Sequence, residues 1–61
     1  MRQFNVFVEH EDSWKLFGTF KAEDGETALK LARSSKIELL NMFEEEELPF
    51  VNLEYMEVPY R

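Results

Sequence analysis

Cysteine is absent from the 61 residues, and there are only two glycines, two prolines and one histidine. Without cysteine there is no disulfide and no thiolate metal site. The lone imidazole, His10, cannot build a histidine cluster. The glycines are Gly18 and Gly25, so no glycine-rich phosphate loop exists. No apolar run approaches the roughly 20 residues of a membrane span. Met1-Arg2-Gln3-Phe4-Asn5 is not followed by the long apolar segment of a secretory signal. Lacking both cysteine and such a signal, the chain is expected in the cytoplasm.

Bases are scarce too. Seven Lys and Arg stand against 13 Asp and Glu, a formal net charge of −6. Direct binding to a phosphate backbone or to an anionic membrane needs a basic footprint. Neither nucleic acid nor membrane is therefore an expected partner. The balance favours a basic protein partner, although acidity also simply keeps a small protein soluble.

What is present is a core. Six Phe, one Trp and two Tyr fall among 44% hydrophobic residues, and each aromatic ring buries a large area. The whole chain, residues 1–61, reads as one domain. At this size only about 60% of the unfolded surface is buried, so stability is marginal. With no disulfide or cysteine-based metal site, a good core or self-association must supply it.

Along the chain, Phe4, Val6 and Val8 alternate with Asn5, Phe7 and Glu9. That period of two predicts a half-buried strand over about 3–10. After a polar turn, Trp14, Leu16, Phe20 and Ala22 alternate with Lys15, Phe17, Thr19 and Lys21, a second strand over about 14–22. If the buried sets share a face, paired positions have equal parity. The favoured register then pairs His10 with Trp14 around the loop Glu11-Asp12-Ser13, and sets Phe7 opposite Phe17. A five-residue loop is the alternative. Asp24 is a good N-cap for a helix over about 25–46. Ala28, Leu29, Leu31, Ala32, Leu39, Leu40, Met42 and Phe43 share one half of its wheel. That phase survives Ser34-Ser35 and favours one helix over two. Pro49 lies beyond its end. A third strand is expected over about 50–58, with Val51, Leu53 and Tyr55 toward the helix. The predicted architecture is α+β: a three-stranded antiparallel sheet, order 2-1-3, with one helix on one face.

Nothing in the chain composes a catalytic constellation. Ser13 near His10 carries no specificity, and Glu9, His10, Glu11 and Asp12 do not match a calcium-loop spacing. The reading is therefore a non-enzyme with no cofactor and no metal. Contact surfaces are more informative. Phe7 and Phe17 are expected side by side on the uncovered sheet face, with Met56, Val58 or Phe50 as neighbours, and contiguous apolar patches mark interfaces. This predicts a homodimer through Phe7, Phe17 and Met56. A nucleic-acid reader can also stack bases on such rings, but only Arg2, Lys15 and Lys21 supply positive charge. The alternative is that the Tyr60-Arg61 tail or a loop covers the patch. Glu44, Glu45, Glu46 and Glu47 are expected at a helix C-terminus, where acids oppose the macrodipole. A local rule broken without compensation marks a candidate partner site. Ile37 stands opposite the buried stripe, so it is expected to be an exposed contact or to mark a bend.

Two resemblances follow from short stretches. Gly25-Glu26-Thr27-Ala28-Leu29, with Ile37-Glu38-Leu39, the glutamates and Pro49, resembles the helix of HicB-type antitoxins. This chain lacks their extra strand, their Pro-Gly-Cys segment and a DNA-binding tail. Val6-Phe7-Val8, Gly18, Ala22, Asp24, Ala28-Leu29 and Ala32-Arg33 are similar to the start of the small B subunit of phenylacetyl-CoA monooxygenase. Both resemblances imply a non-catalytic protein that works through contact. The reading of an acidic module for a basic partner covers inhibitor, antitoxin-like and nucleic-acid-mimic roles; a structural accessory subunit of a larger enzyme complex is the alternative.

Overall fold

A computed structural model describes residues 1–59; Tyr60 and Arg61, whose tail was a candidate cover for the sheet, lie outside the described residues. Strand β1 runs Arg2–His10 and β2 Ser13–Ala22, followed by helices α1, Gly25–Ser34, and α2, Lys36–Leu40. A 3-10 helix, Glu45–Phe50, leads into β3, Leu53–Glu57. The sheet is antiparallel with order β2-β1-β3, the predicted topology. The helices pack on one face.

That face is built by the alternation of β1. Phe4, Val6 and Val8 are buried and meet Ala28 and Ala32 of α1, Leu39 of α2, and Val51, Leu53 and Ala22. Burying side chains of this size contributes about 1.5–3 kcal/mol each before entropy is counted. Val51 and Leu53 face the helix as expected. Tyr55 joins them by register, its ring edge-on to Phe4 at 5.6 Å. Gly25 is buried beneath that ring, and a Cβ at this position would overlap it.

The hairpin differs from the predicted register. Its loop is two residues, Glu11-Asp12, with His10 opposite Ser13 and Trp14 opposite Glu9. Both loop residues have positive φ, 54° and 65°, the requirement of a type I′ turn, which matches the strand twist. Such a turn alone would put the wrong parity on β2. A bulge restores it: Val6 pairs Gly18 and Phe7 pairs Leu16, leaving Phe17 as the extra residue. The parity argument assumed an unbroken ladder. From Phe20 to Gly18 the expected pairing holds; beyond the bulge the faces exchange. Trp14 and Leu16 therefore lie on the open face, and Phe17 packs against the core, its ring stacked on Phe20 at 6.3 Å.

The single helix over 25–46 is also corrected. Asp24 caps α1 as expected, accepting the Thr27 N–H at 2.8 Å. Then Ser34 and Ser35 donate their hydroxyls to the carbonyls of Lys30 and Leu31. Ser35 leaves the helical region, with ψ 65°. Serine competition for backbone acceptors was the signal for this break. Leu39 is buried, Leu29, Met42 and Phe43 are half-buried, and Leu31 and Leu40 are exposed. The chain turns at Asn41–Phe43 and begins the 3-10 helix, so residues 50–52 are not part of the third strand. The Arg33 guanidinium donates to the Val51 carbonyl at 3.2 Å and ties that segment to α1.

Candidate functional site

The open face of the sheet follows from the register. It presents Phe7 at its centre, flanked by Leu16 on β2 and Glu54 on β3. Trp14 and Met56 lie diagonally from Phe7. Leu16 is 59% exposed and Met56 64%, while Phe7 is half-buried by its neighbours. Asn5 and Thr19 hydrogen-bond across the strands at 2.7 Å on the same face. Of the three expected self-association residues, the structure keeps Phe7 and Met56 together and removes Phe17 to the other side. Leu16 and Trp14 replace it. Sequence alternation had assigned these two to the core, and only an allowance for a bulge would have found them.

Glu44 to Glu47 sit differently from the expectation as well. They do not end a helix; Glu45, Glu46 and Glu47 form the first turn of the 3-10 helix and Glu44 precedes it. Acids at a helix start complement the dipole, so the argument from a broken rule falls. The Glu44 N–H donates to Glu47 Oε1 at 2.7 Å, and the Glu47 N–H donates to the Glu44 carbonyl at 2.9 Å. Lys36 Nζ approaches Glu45 Oε2 at 3.5 Å, because the turn at Asn41–Phe43 folds the chain back. That pair is exposed and worth little. Ile37 is 75% exposed and stands just after the break at Ser35. It belongs to neither the sheet face nor the acidic turn.

The fold brings Glu46 and Glu47 to a cleft of about 440 Å³ that sequence reading did not anticipate. Glu9, Phe43, Phe50, Val51 and Asn52 complete its lining. The end of β1 holds the segment before β3: the Glu9 N–H donates to the Asn52 carbonyl at 3.1 Å, and Asn52 Nδ2 donates to Glu9 Oε1 at 3.0 Å. The ring of Phe43 stands edge-on to that of His10, 5.0 Å between centroids. His10 Nδ1 is buried without a hydrogen-bond partner among the described residues.

At the opposite end, Arg2 and Glu57 form a bidentate pair, both bonds 2.8 Å. The bond raises the Arg2 pKa and lowers that of Glu57. The Asp24 carboxyl is also held below its ordinary range, chiefly by the backbone N–H of Thr27. These are structural contacts at strand and helix ends. Among the described residues, no three His, Asp or Glu side chains are grouped to hold a metal ion, and no helix is long and apolar enough to cross a membrane.

The two stretches that resemble HicB-type antitoxins and the monooxygenase B subunit carry those likenesses alone. Set against protein-family models, curated proteins and solved structures, the chain matches none.

Proposed function

We propose that this chain is a non-catalytic acidic interaction module that self-associates through the open face of its sheet and meets a basic protein partner through its acidic surface. The observation that carries the reading is the apolar group Phe7, Leu16, Trp14 and Met56 on a face left exposed. Contiguous apolar surface of this kind marks an interface. A second copy is the fitting occupant because a small domain gains most from added burial. A standard interface needs about 800 Å² per partner, roughly one sixth of the 4731 Å² surface of this chain. Among the described residues, register makes Lys21 the base on that face, which supports a protein surface over a nucleic-acid strand.

Sedimentation equilibrium tests this. Wild type is expected to be a dimer at micromolar concentration, and Leu16→Ser/Met56→Ser a folded monomer. A wild type that stays monomeric at high micromolar concentration overturns the reading, as does a dimer that survives both substitutions.

A further inference from the structure

A strand at the rim of a sheet turns one row of backbone groups outward, and here the two rims differ. On the β2 side the ladder carries the bulge at Phe17 and the bases Lys15 and Lys21. Bulges and lysines are common guards of a sheet edge. On the β3 side the ladder to β1 runs from Leu53 to Glu57 without a register shift. This strand has neither lysine nor proline. Shortness is the guard that remains, since β3 has five residues.

Register tells which groups face out. In an antiparallel ladder alternate residues exchange hydrogen bonds with the neighbouring strand, and the residues between them turn their N–H and C=O the other way. The Val58 N–H donates to the Gln3 carbonyl at 2.9 Å, and the Glu9 N–H to the Asn52 carbonyl at 3.1 Å. Glu54 and Met56, which share that parity, therefore point at β1. Leu53, Tyr55 and Glu57 point away from it, and among the described residues their backbone groups have no hydrogen-bond partner.

The fold closes this row at both ends and leaves it open between them. The Val51 N–H donates to the Leu48 carbonyl and the Val51 carbonyl accepts from Arg33 Nη2, both at 3.2 Å. At the other end Pro59 has no N–H to offer. Leu53 is buried by its side chain, but Glu54, Tyr55, Met56 and Glu57 are exposed, so no described element covers the rim.

An open row of alternating donors and acceptors is complementary to another extended backbone, and the flanking side chains decide whose. β3 carries Glu54 and Glu57 and no base. Glu57 is spent on Arg2 through both oxygens. Glu54 makes no hydrogen bond or ion pair through its side chain among the described residues. It lies with Met56 on the open face, where an added strand would set its own alternate side chains beside them. A second copy would bring another acidic strand to a chain of net charge −6, and like charges across a strand pair are destabilising. A basic segment is attracted instead.

We infer that the free edge of β3 takes an extended, basic segment of a protein partner as a further strand, its backbone bonded to Leu53, Tyr55 and Glu57 and a Lys or Arg beside Glu54. The charge of that segment rests on the acidic-module reading; the edge does not use the sheet face.

The test is amide hydrogen exchange followed by NMR, with and without the blocked peptide acetyl-Thr-Lys-Thr-Lys-Thr-amide. Its symmetric pattern puts a lysine beside Glu54 in either strand direction. In the free protein the amides of Tyr55 and Glu57 are expected to exchange rapidly, and those of Glu54 and Met56 slowly. The peptide should protect Tyr55 and Glu57. The same peptide N-methylated at its central threonine keeps every charge, loses the central backbone donor and should be silent. Glu54→Gln should weaken binding about threefold, the size of an exposed ion pair. Glu57→Pro should abolish binding and keep the fold, because proline is tolerated where an edge N–H faces solvent; Glu57→Gln controls for the lost Arg2 pair and should still bind. A Tyr55 amide already protected in the free protein overturns the inference, and protection that rises with protein concentration shows a second copy on the edge. No protection by the peptide, equal binding of the N-methylated form, or protection of Thr19 and Lys21 on β2 instead overturns it too. Equal binding of acetyl-Thr-Glu-Thr-Glu-Thr-amide refutes the basic segment and the acidic-module reading together. Shifts spread over Glu11, Asp12, Glu26 and Glu38 that vanish with salt, with Tyr55 unprotected, overturn the edge and leave the acidic-module reading standing. The oligomeric state of Leu16→Ser/Met56→Ser reports on the sheet face separately.

Discussion

One face of the sheet is sealed and the other is open, yet the same strand supplies both. On β1, Phe4, Val6 and Val8 are buried against the helices, while Asn5, Phe7 and Glu9 between them are only half-buried. On β2 the division is less regular, because the bulge at Phe17 exchanges the faces midway. The difference teaches that alternation assigns faces only while the ladder is continuous. One extra residue turned a phenylalanine against the core, half-buried, and left a leucine and a tryptophan outside. Apolar residues on the sealed side hold the fold. On the open side similar residues contribute little to the monomer and are free to make contacts.

Substitutions should separate the two faces. The largest effect is expected at Phe4, which is fully buried and edge-on to Tyr55. Phe4→Ala should cost about 3–5 kcal/mol, comparable with the whole stability of a domain of this size, roughly 3–9 kcal/mol. Circular dichroism in urea should show this variant largely unfolded, with Phe7→Ala losing less than half as much. Equal losses at the two positions would erase the distinction between the faces.

Phe17 gives a sharper comparison with its neighbour Leu16. Phe17→Ser should lower stability by about 1–2 kcal/mol, the part-buried share of a phenylalanine, and leave any dimer intact. Leu16→Ser should change monomer stability by no more than about 0.5 kcal/mol, as exposed positions do, and weaken association. The reverse pattern would return Phe17 to the open face and remove the bulge.

The smallest effect is on pH dependence. Thr27 holds the Asp24 pKa below its ordinary value, so the folded state favours the carboxylate. Its contribution is present above the unfolded pKa of about 3.9 and is lost as pH falls through the folded value. Asp24→Ala should therefore lower the urea midpoint at pH 7, and the gap from wild type should close in acid below about pH 4. A gap independent of pH would mean that the cap does not depend on charge.

Much of this fold was legible. Period-two patterning marked β1, the Asp24 cap opened α1, and the long crossover implied the order β2-β1-β3. Two kinds of feature were not. The break at Ser35 was signalled by adjacent serines, but the apolar phase runs through it, and a wheel drawn for a straight helix counts that phase as continuity. The turn at Asn41–Phe43 has no glycine or proline to announce it, so Glu44 to Glu47 were assigned to the wrong end of a helix. The cleft that Glu46 and Glu47 line sets Glu9 beside residues 43, 47 and 50–52, which are distant from it in the chain.

The sequence alone determined the class of the protein and the identity of its central strand, because hydrophobic periodicity and capping chemistry act between near neighbours. It also determined the acidic surface, since charge is set by composition. Tertiary structure decided which aromatic faces solvent, where the glutamates point and what lies beside them. Those outcomes depend on a two-residue turn, a compensating bulge and a backbone break, each a choice between local geometries of similar energy. Only packing of the remaining chain against the sheet selects among them.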